Sequence, residues 1–216
     1  MDKKKLCDSY YYKACYLINK GEYPEAILLL KKAENLANQI NNSYHQMKIA
    51  SSIAYINEVC GNYDIQLQYA KKALAYALET KKKKWIISLY NRISEAFQYQ
   101  EKIDSAIVYA DKVINNKKDI SIENIPYFLN SAGYTHREKD PEKAKNLLKE
   151  LQSRNEKMFN ITFLVMNYAP SKRKLDNAIM YAAGVASRYN CKLVKLDYQQ
   201  EEGFVSSLPL GINQIK

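Results

Sequence analysis

The residues that most often carry chemistry, cysteine and histidine, are scattered along this chain. They form neither a Cys-x-x-Cys pair nor a Cys/His cluster. A zinc site or a disulfide framework needs such clustering. We therefore expect no metal, and free thiols in a reducing compartment. These residues are Cys7, Cys15, Cys60, Cys191, His45 and His136.

Sequence motifs of known catalytic machinery are also missing. The phosphate-binding Gly-x-x-x-x-Gly-Lys-Ser/Thr, the Gly-x-Ser-x-Gly elbow and His-Glu-x-x-His do not occur in the 216 residues. Two neighbouring carboxylates, Glu201 and Glu202, could form an acid/base pair, but nothing near them would shift a carboxyl pKa, so a solvated turn is favoured. We predict a protein that is not an enzyme and has no cofactor.

The basic charge bears on the possible partners. The net charge is +10, and its densest run is at 81–84. Such a run could contact phosphates without reading bases, but it is more typical of a solvated turn between helices.

No signal-peptide or membrane-span pattern is present. We expect no nucleic-acid partner, no membrane insertion and a cytoplasmic location.

A turn followed by a helix recurs four times along the chain. This repeat would position the side chains that could bind a partner. The copies begin at Gly21, Gly61, Glu101 and Lys139, so the interval is 38–40 residues. In each copy, small or apolar residues recur at spacings of four and three, which is one face of a helix. The first three quarters of the chain are therefore predicted to be a helical repeat.

A second helix is predicted before each turn, at 9–20, 46–60, 85–100 and 125–138. One position in each of these helices is small, which lets a neighbouring helix approach closely. The repeating unit is then a helix hairpin, and stacked hairpins bury a core that one hairpin cannot bury alone. The small residues are Ala14, Ala54, Ser94 and Ala132.

These features resemble the tetratricopeptide repeat (TPR) family over residues 7–155. The match is clearest at Gly21, Tyr23, Ala26 and Ala33. The long period is similar to that of the TPRs of bacterial peptide-sensing regulators. Departures from the family pattern are Gln66 at a small position, and Glu101 and Lys139 in place of Gly. The resemblance implies an α-solenoid of four hairpins.

In a solenoid of this kind the first helix of each hairpin lines a concave groove, which is where solenoids bind partners. Asn and Arg can hydrogen-bond an extended peptide, and Tyr offers apolar area with a polar tip. We therefore predict a non-catalytic scaffold that binds a protein or peptide. The groove candidates are Tyr12, Asn19, Tyr55, Glu58, Asn91, Arg92, Glu95, Tyr99, Asn130 and Arg137.

The last quarter of the chain has a different pattern, which divides it into residues 1–157 and residues 158–216. Residues 159–166 are β-branched and aromatic, residues 172–189 have a helical pattern with Ser171 as N-cap, and residues 192–198 alternate. This predicts a small α/β segment of strand, helix and strand. Because two strands are marginal alone, the segment either packs poorly or caps the last hairpin.

Residues 159–216 resemble part of the conjugal-transfer ATPases of type IV secretion systems. The motifs are Asn-Tyr-Ala-Pro-Ser at 167–171, Gln-Gln-Glu-Glu-Gly at 199–203 and Leu-Pro-Leu-Gly at 208–211. The phosphate loop is missing, so ATPase activity is not expected. The resemblance implies an alternative role, in which the tail docks on the conjugation machinery. A regulatory TPR protein and a gene fusion are further alternatives.

Overall fold

The structure is a computed structural model that describes residues 2–152, residues 165–188 and Leu193. Within the described residues it is mainly α-helical, and eight of its helices lie in residues 2–152 as four successive hairpins that pack on their neighbours. The helices are α1 Lys3–Asn19, α2 Tyr23–Gln39, α3 Ser43–Val59, α4 Tyr63–Glu79, α5 Lys83–Tyr99, α6 Ile103–Asn115, α7 Ile125–His136, α8 Pro141–Gln152 and, in the tail, α9 Lys172–Arg188. The prediction of a helical repeat is confirmed, and the helix bounds differ from the predicted ones by a few residues.

The first five helices end in the same way, at intervals of 20 residues. Each is followed by one residue with left-handed backbone, and the amides beyond the helix turn back to its last carbonyls. After α1, for example, Glu22 N donates to Leu17 O and Gly21 N donates to Ile18 O, both at 2.9 Å. This is the Schellman arrangement, which satisfies carbonyls that the helix leaves open. The left-handed residues are Gly21, Asn41, Gly61, Lys81 and Glu101.

Glu101 keeps the backbone of the glycines that it replaces, with φ at 59°. Left-handed backbone costs a residue with a side chain roughly 1–2 kcal/mol, while Gly loses more entropy on folding. We expect Glu101→Gly to raise the free energy of unfolding by about 0.5–1 kcal/mol, measured by urea denaturation. The reverse change, Gly61→Ala at φ 72°, should lower it by about 1 kcal/mol. A destabilised Glu101→Gly would contradict this account of the turns.

The small residues predicted at the helix contacts are buried. Ala14, Ala54, Ser94 and Ala132 are almost fully excluded from solvent, and the Ser94 hydroxyl donates to Ala106 O at 2.7 Å. Since these positions hold no bulky side chain, neighbouring helices can come close together, as α5 and α6 do at Ser94 and Ala106. This part of the repeat prediction is confirmed.

The tail contributes α9, which begins where the sequence predicted it. Lys174 N donates to the Ser171 side chain at 3.4 Å, so Ser171 caps the helix. The strands are not shown: Val165 and Met166, at the end of the first predicted strand, have no regular secondary structure. The rest of that strand, at 159–164, and nearly all of the second, at 192–198, lie outside the described residues.

The docking site of α9 differs from one of the two alternatives for the tail, in which it caps the last hairpin. It contacts α2 and α3, in the first two hairpins. Gly184 lies against Gly21 so closely that neither position has room for a Cβ atom, and Ala183 beside it is fully buried. Because glycine has no side chain, the backbones of the two elements can approach this closely. The sequence does not show which glycines meet, because that depends on how the two elements pack.

Candidate partner-binding face

The first helices of the four hairpins lie side by side. α1 contacts α3, and α5 contacts α7. We call the exposed surface of α1, α3, α5 and α7 the odd-helix face. The predicted groove candidates all belong to this set of helices or, for Arg137, to the residue that follows α7.

A cavity of about 160 Å³ opens between α1, α3 and α5. Three predicted groove candidates line it, one from each helix: Asn19, Tyr55 and Arg92. The sequence prediction missed its other lining residues, Cys15, Ile18, Ser51, Ser52 and Trp85.

The repeat could have identified two of the missed residues. Ser51 and Ser52 lie forty residues before Asn91 and Arg92, so they occupy the equivalent positions of the preceding hairpin. Trp85 carries no such signal, since it stands in the first turn of α5 outside the repeated positions.

Arg92 is held in place by neighbours from two helices. Its guanidinium Nη1 forms an ion pair with Glu58 Oε2 on α3, and the guanidinium carbon lies 5.4 Å from the centre of the Tyr55 ring. Gln66 on α4 donates its amide to Glu58 Oε2 at 3.3 Å and to the Arg92 carbonyl at 3.1 Å. The Gln66 side chain at the predicted small position therefore ties α3, α4 and α5 together.

A second polar network joins α5 to α7. Asn91 and Glu95 are only 4% and 8% exposed. Glu95 Oε1 accepts hydrogen bonds from Asn91 at 3.1 Å, from Tyr127 at 2.9 Å and from Ser131 at 3.2 Å. Desolvation of the Tyr127 hydroxyl and the adjacent Glu95 carboxylate raise the pKa of Tyr127 well above its usual range. Asn91 and Glu95 thus hold helices together and are poorly placed to meet a ligand.

The remaining candidates have different surroundings. Tyr12 is 62% exposed and Asn130 is partly exposed. Tyr99 stacks on Tyr63 with ring centres 4.4 Å apart, so it packs α5 on α4. Arg137 is exposed and lies over the ring of Tyr134 at 4.7 Å. The structure therefore brings together Asn19, Tyr55 and Arg92, and leaves Asn130 and Arg137 toward the other end of the face.

Among the described cysteines and histidines, Cys60, His45 and His136 have structural surroundings, whereas Cys15 lines the cavity. Burial raises the pKa of Cys60 to about 12, so that its thiol stays protonated near neutral pH. His45 Nε2 lies 2.9 Å from Asp8 Oδ1, and His136 Nε2 lies 2.8 Å from Asp111 Oδ1. No group of three or more His, Cys, Asp or Glu within the described ranges could hold a metal ion.

Two further predictions concern the charge run and membranes. The lysines at 81–84 form the turn between α4 and α5 and the start of α5, as expected. Lys81 supplies the left-handed residue, and Lys83 pairs with Asp119 at 3.5 Å. In the part of the chain that the structure describes, every helix is too short or too polar to cross a bilayer.

The resemblance of residues 159–216 to conjugal-transfer ATPases stays a prediction, since most of the residues that carry it lie outside the described ranges. The conjugation-associated and regulatory roles likewise remain alternatives. Comparison of the whole chain with protein-family models and with curated proteins gave no match.

Proposed function

We propose that residues 3–152 are a TPR-like solenoid whose odd-helix face binds an extended segment of a protein or peptide, without catalysis. The observation that carries this proposal is the cavity between α1, α3 and α5. Consecutive hairpins contribute its walls, as expected for a binding groove that runs along a stack of repeats.

The chemistry of the cavity favours a peptide. Tyr55 and Trp85 supply aromatic surface, while Asn19, Ser51 and Ser52 supply hydrogen-bonding groups. Such side chains pair with the backbone and apolar groups of an extended chain. Small-molecule and cofactor pockets hold roughly 300–1,000 Å³, so a cavity of about 160 Å³ better fits one side chain of a longer ligand.

The first test is a selection of random phage-displayed peptides on the immobilised full-length protein. We expect a family of related peptides to be enriched. Asn19→Phe would fill the mouth of the cavity and should weaken the selected peptides about tenfold or more, equivalent to about 1.4 kcal/mol. Affinity is measured by fluorescence anisotropy of a labelled peptide.

The matched control is Asn35→Phe. Asn35 is an exposed asparagine on α2, outside the odd-helix face. This variant should bind the peptides like the wild type. If no peptide is enriched, or if both variants bind equally well, the proposed function is wrong.

A further inference from the structure

Two lysines, Lys48 on α3 and Lys82 directly before α5, sit among tyrosines of α1 and α3. Lys48 Nζ on α3 lies 4.2 Å from the ring centre of Tyr11 and 5.2 Å from that of Tyr12, both on α1. Lys82 Nζ lies 5.7 Å from the ring centre of Tyr44, and Lys48 lies 5.3 Å from the same ring. We call Tyr11, Tyr12, Tyr44, Lys48 and Lys82 the Tyr/Lys patch.

The patch is continuous with the cavity. Lys48, Ser52 and Tyr55 are spaced by four and three residues, so they share one face of α3. Tyr12 and Asn19 are related by seven residues in the same way on α1. A ligand lying along this face would therefore meet the patch and the cavity together.

The patch presents positive charge with no carboxylate of its own. Among the described residues, Lys48 and Lys82 take part in no ion pair, and their ammonium groups lie over aromatic rings. The nearby carboxylates are engaged elsewhere: Asp8 faces His45, and Glu79 Oε1 accepts a hydrogen bond from Ser43 at 2.8 Å. Cation–π contacts orient an ammonium group without neutralising its charge.

Two carboxylates of the face, Glu58 and Glu95, are engaged by side chains outside the patch. Glu58 is paired with Arg92, and Glu95 accepts hydrogen bonds from three side chains. Lysine and arginine outnumber aspartate and glutamate on α1, α3 and α5, within a chain of net charge +10. Lys48 and Lys82 are basic side chains, on or next to these three helices, that lie among the tyrosines of α1 and α3. A partner with complementary potential would carry carboxylates opposite the patch.

From this we infer that the Tyr/Lys patch binds the acidic part of the partner, so that the ligand is a segment rich in Asp and Glu whose neighbouring side chain enters the cavity. The inference rests on the proposed function and adds the charge of the ligand. Aspartate and glutamate oxygens would pair with Lys48 and Lys82 while the exposed rings of Tyr12 and Tyr44 cover the aliphatic parts of the segment.

The experiment uses the peptides selected on the full-length protein. They should be enriched in Asp and Glu and depleted in Lys and Arg relative to the unselected pool, and their affinity should fall as salt is raised. Lys48→Glu/Lys82→Glu should weaken them about tenfold or more. The control, Lys71→Glu/Lys112→Glu, makes the same change of charge at two lysines that also lie over aromatic rings but belong to α4 and α6.

Several outcomes would overturn the inference. Enriched peptides without acidic bias would leave the proposed function standing and refute the acidic ligand. Equal losses in the two double variants would mean that only net charge matters. A labelled single-stranded oligonucleotide that binds the wild type more tightly than the peptides, and is lost in Lys48→Glu/Lys82→Glu, would assign the patch to nucleic acid. If Lys48→Glu/Lys82→Glu does not keep the wild-type circular dichroism spectrum, the variant Lys48→Gln/Lys82→Gln is used in its place. The same outcomes then decide for or against the inference.

Discussion

Arg92→Ala is expected to lower the free energy of unfolding by about 3 kcal/mol. Its side chain and that of Glu58 are only 16% and 10% exposed, and they form one ion pair between α5 and α3. Removing the guanidinium leaves the Glu58 carboxylate buried without its cation, which costs far more than the loss of a surface pair. Urea denaturation followed by circular dichroism measures the change.

A double-mutant cycle separates the pair from its surroundings. Glu58→Ala together with Arg92→Ala should cost clearly less than the sum of the single changes, because neither charge is then left alone. The control cycle is Lys139 with Asp104, an ion pair at 3.1 Å whose side chains are 55% and 86% exposed. Its coupling should be at most about 1 kcal/mol. Equal couplings in both cycles would contradict the buried role of Arg92.

The stability effect of Arg92 changes how binding must be tested. Alanine at Glu58, Asn91, Arg92 or Glu95 would disturb the contacts between helices, so that a loss of binding could not be ascribed to the face. Asn19 and Lys48 avoid this difficulty, because neither belongs to the two polar networks.

Ile93→Ala is the second substitution with a large expected effect. Ile93 is 0% exposed and packs with Ala54 and Ala70, which joins the third hairpin to the second. Deleting its buried methyl and methylene groups should lower the free energy of unfolding by about 3 kcal/mol, from lost apolar burial and the cavity left behind.

Ile122→Ala is the matched control, since Ile122 is the same residue type at 79% exposure. It should change the free energy of unfolding by less than about 0.5 kcal/mol. The two variants are compared in the same urea titration. A change of similar size in both would mean that Ile93 does not join the hairpins as the structure indicates.

The sequence predicted the hairpins because their causes are local. Gly21 and Gly61 mark helix ends through their backbone freedom, and Ala54 and Ala132 mark close helix contacts through their size. These signals recur at a fixed period, so each copy supports the others. In the third copy Glu101 stands where the first two copies have glycine, so the glycine pattern is lost there. The turn still forms because the apolar residues around it keep their spacing.

The polar networks could not be predicted in the same way. Glu58 and Arg92 stand 34 residues apart on separate helices, and their pairing depends on the angle between those helices, which no spacing encodes. The docking of α9 on the first two hairpins was missed for the same reason. The contact between Gly184 and Gly21 depends on the packing of distant segments, which the sequence pattern does not encode.

The fluorescence of Trp85 tests the central claim most directly. It is the only tryptophan of the chain and it lines the cavity, so its emission reports whether the odd-helix face is occupied. A selected peptide without tryptophan should cause a saturable change in Trp85 emission, with the same affinity as that found by anisotropy. Asn19→Phe should move this response to peptide concentrations about tenfold or more higher. A peptide that binds with unchanged Trp85 emission, and equally well to Asn19→Phe, would contradict binding at this face.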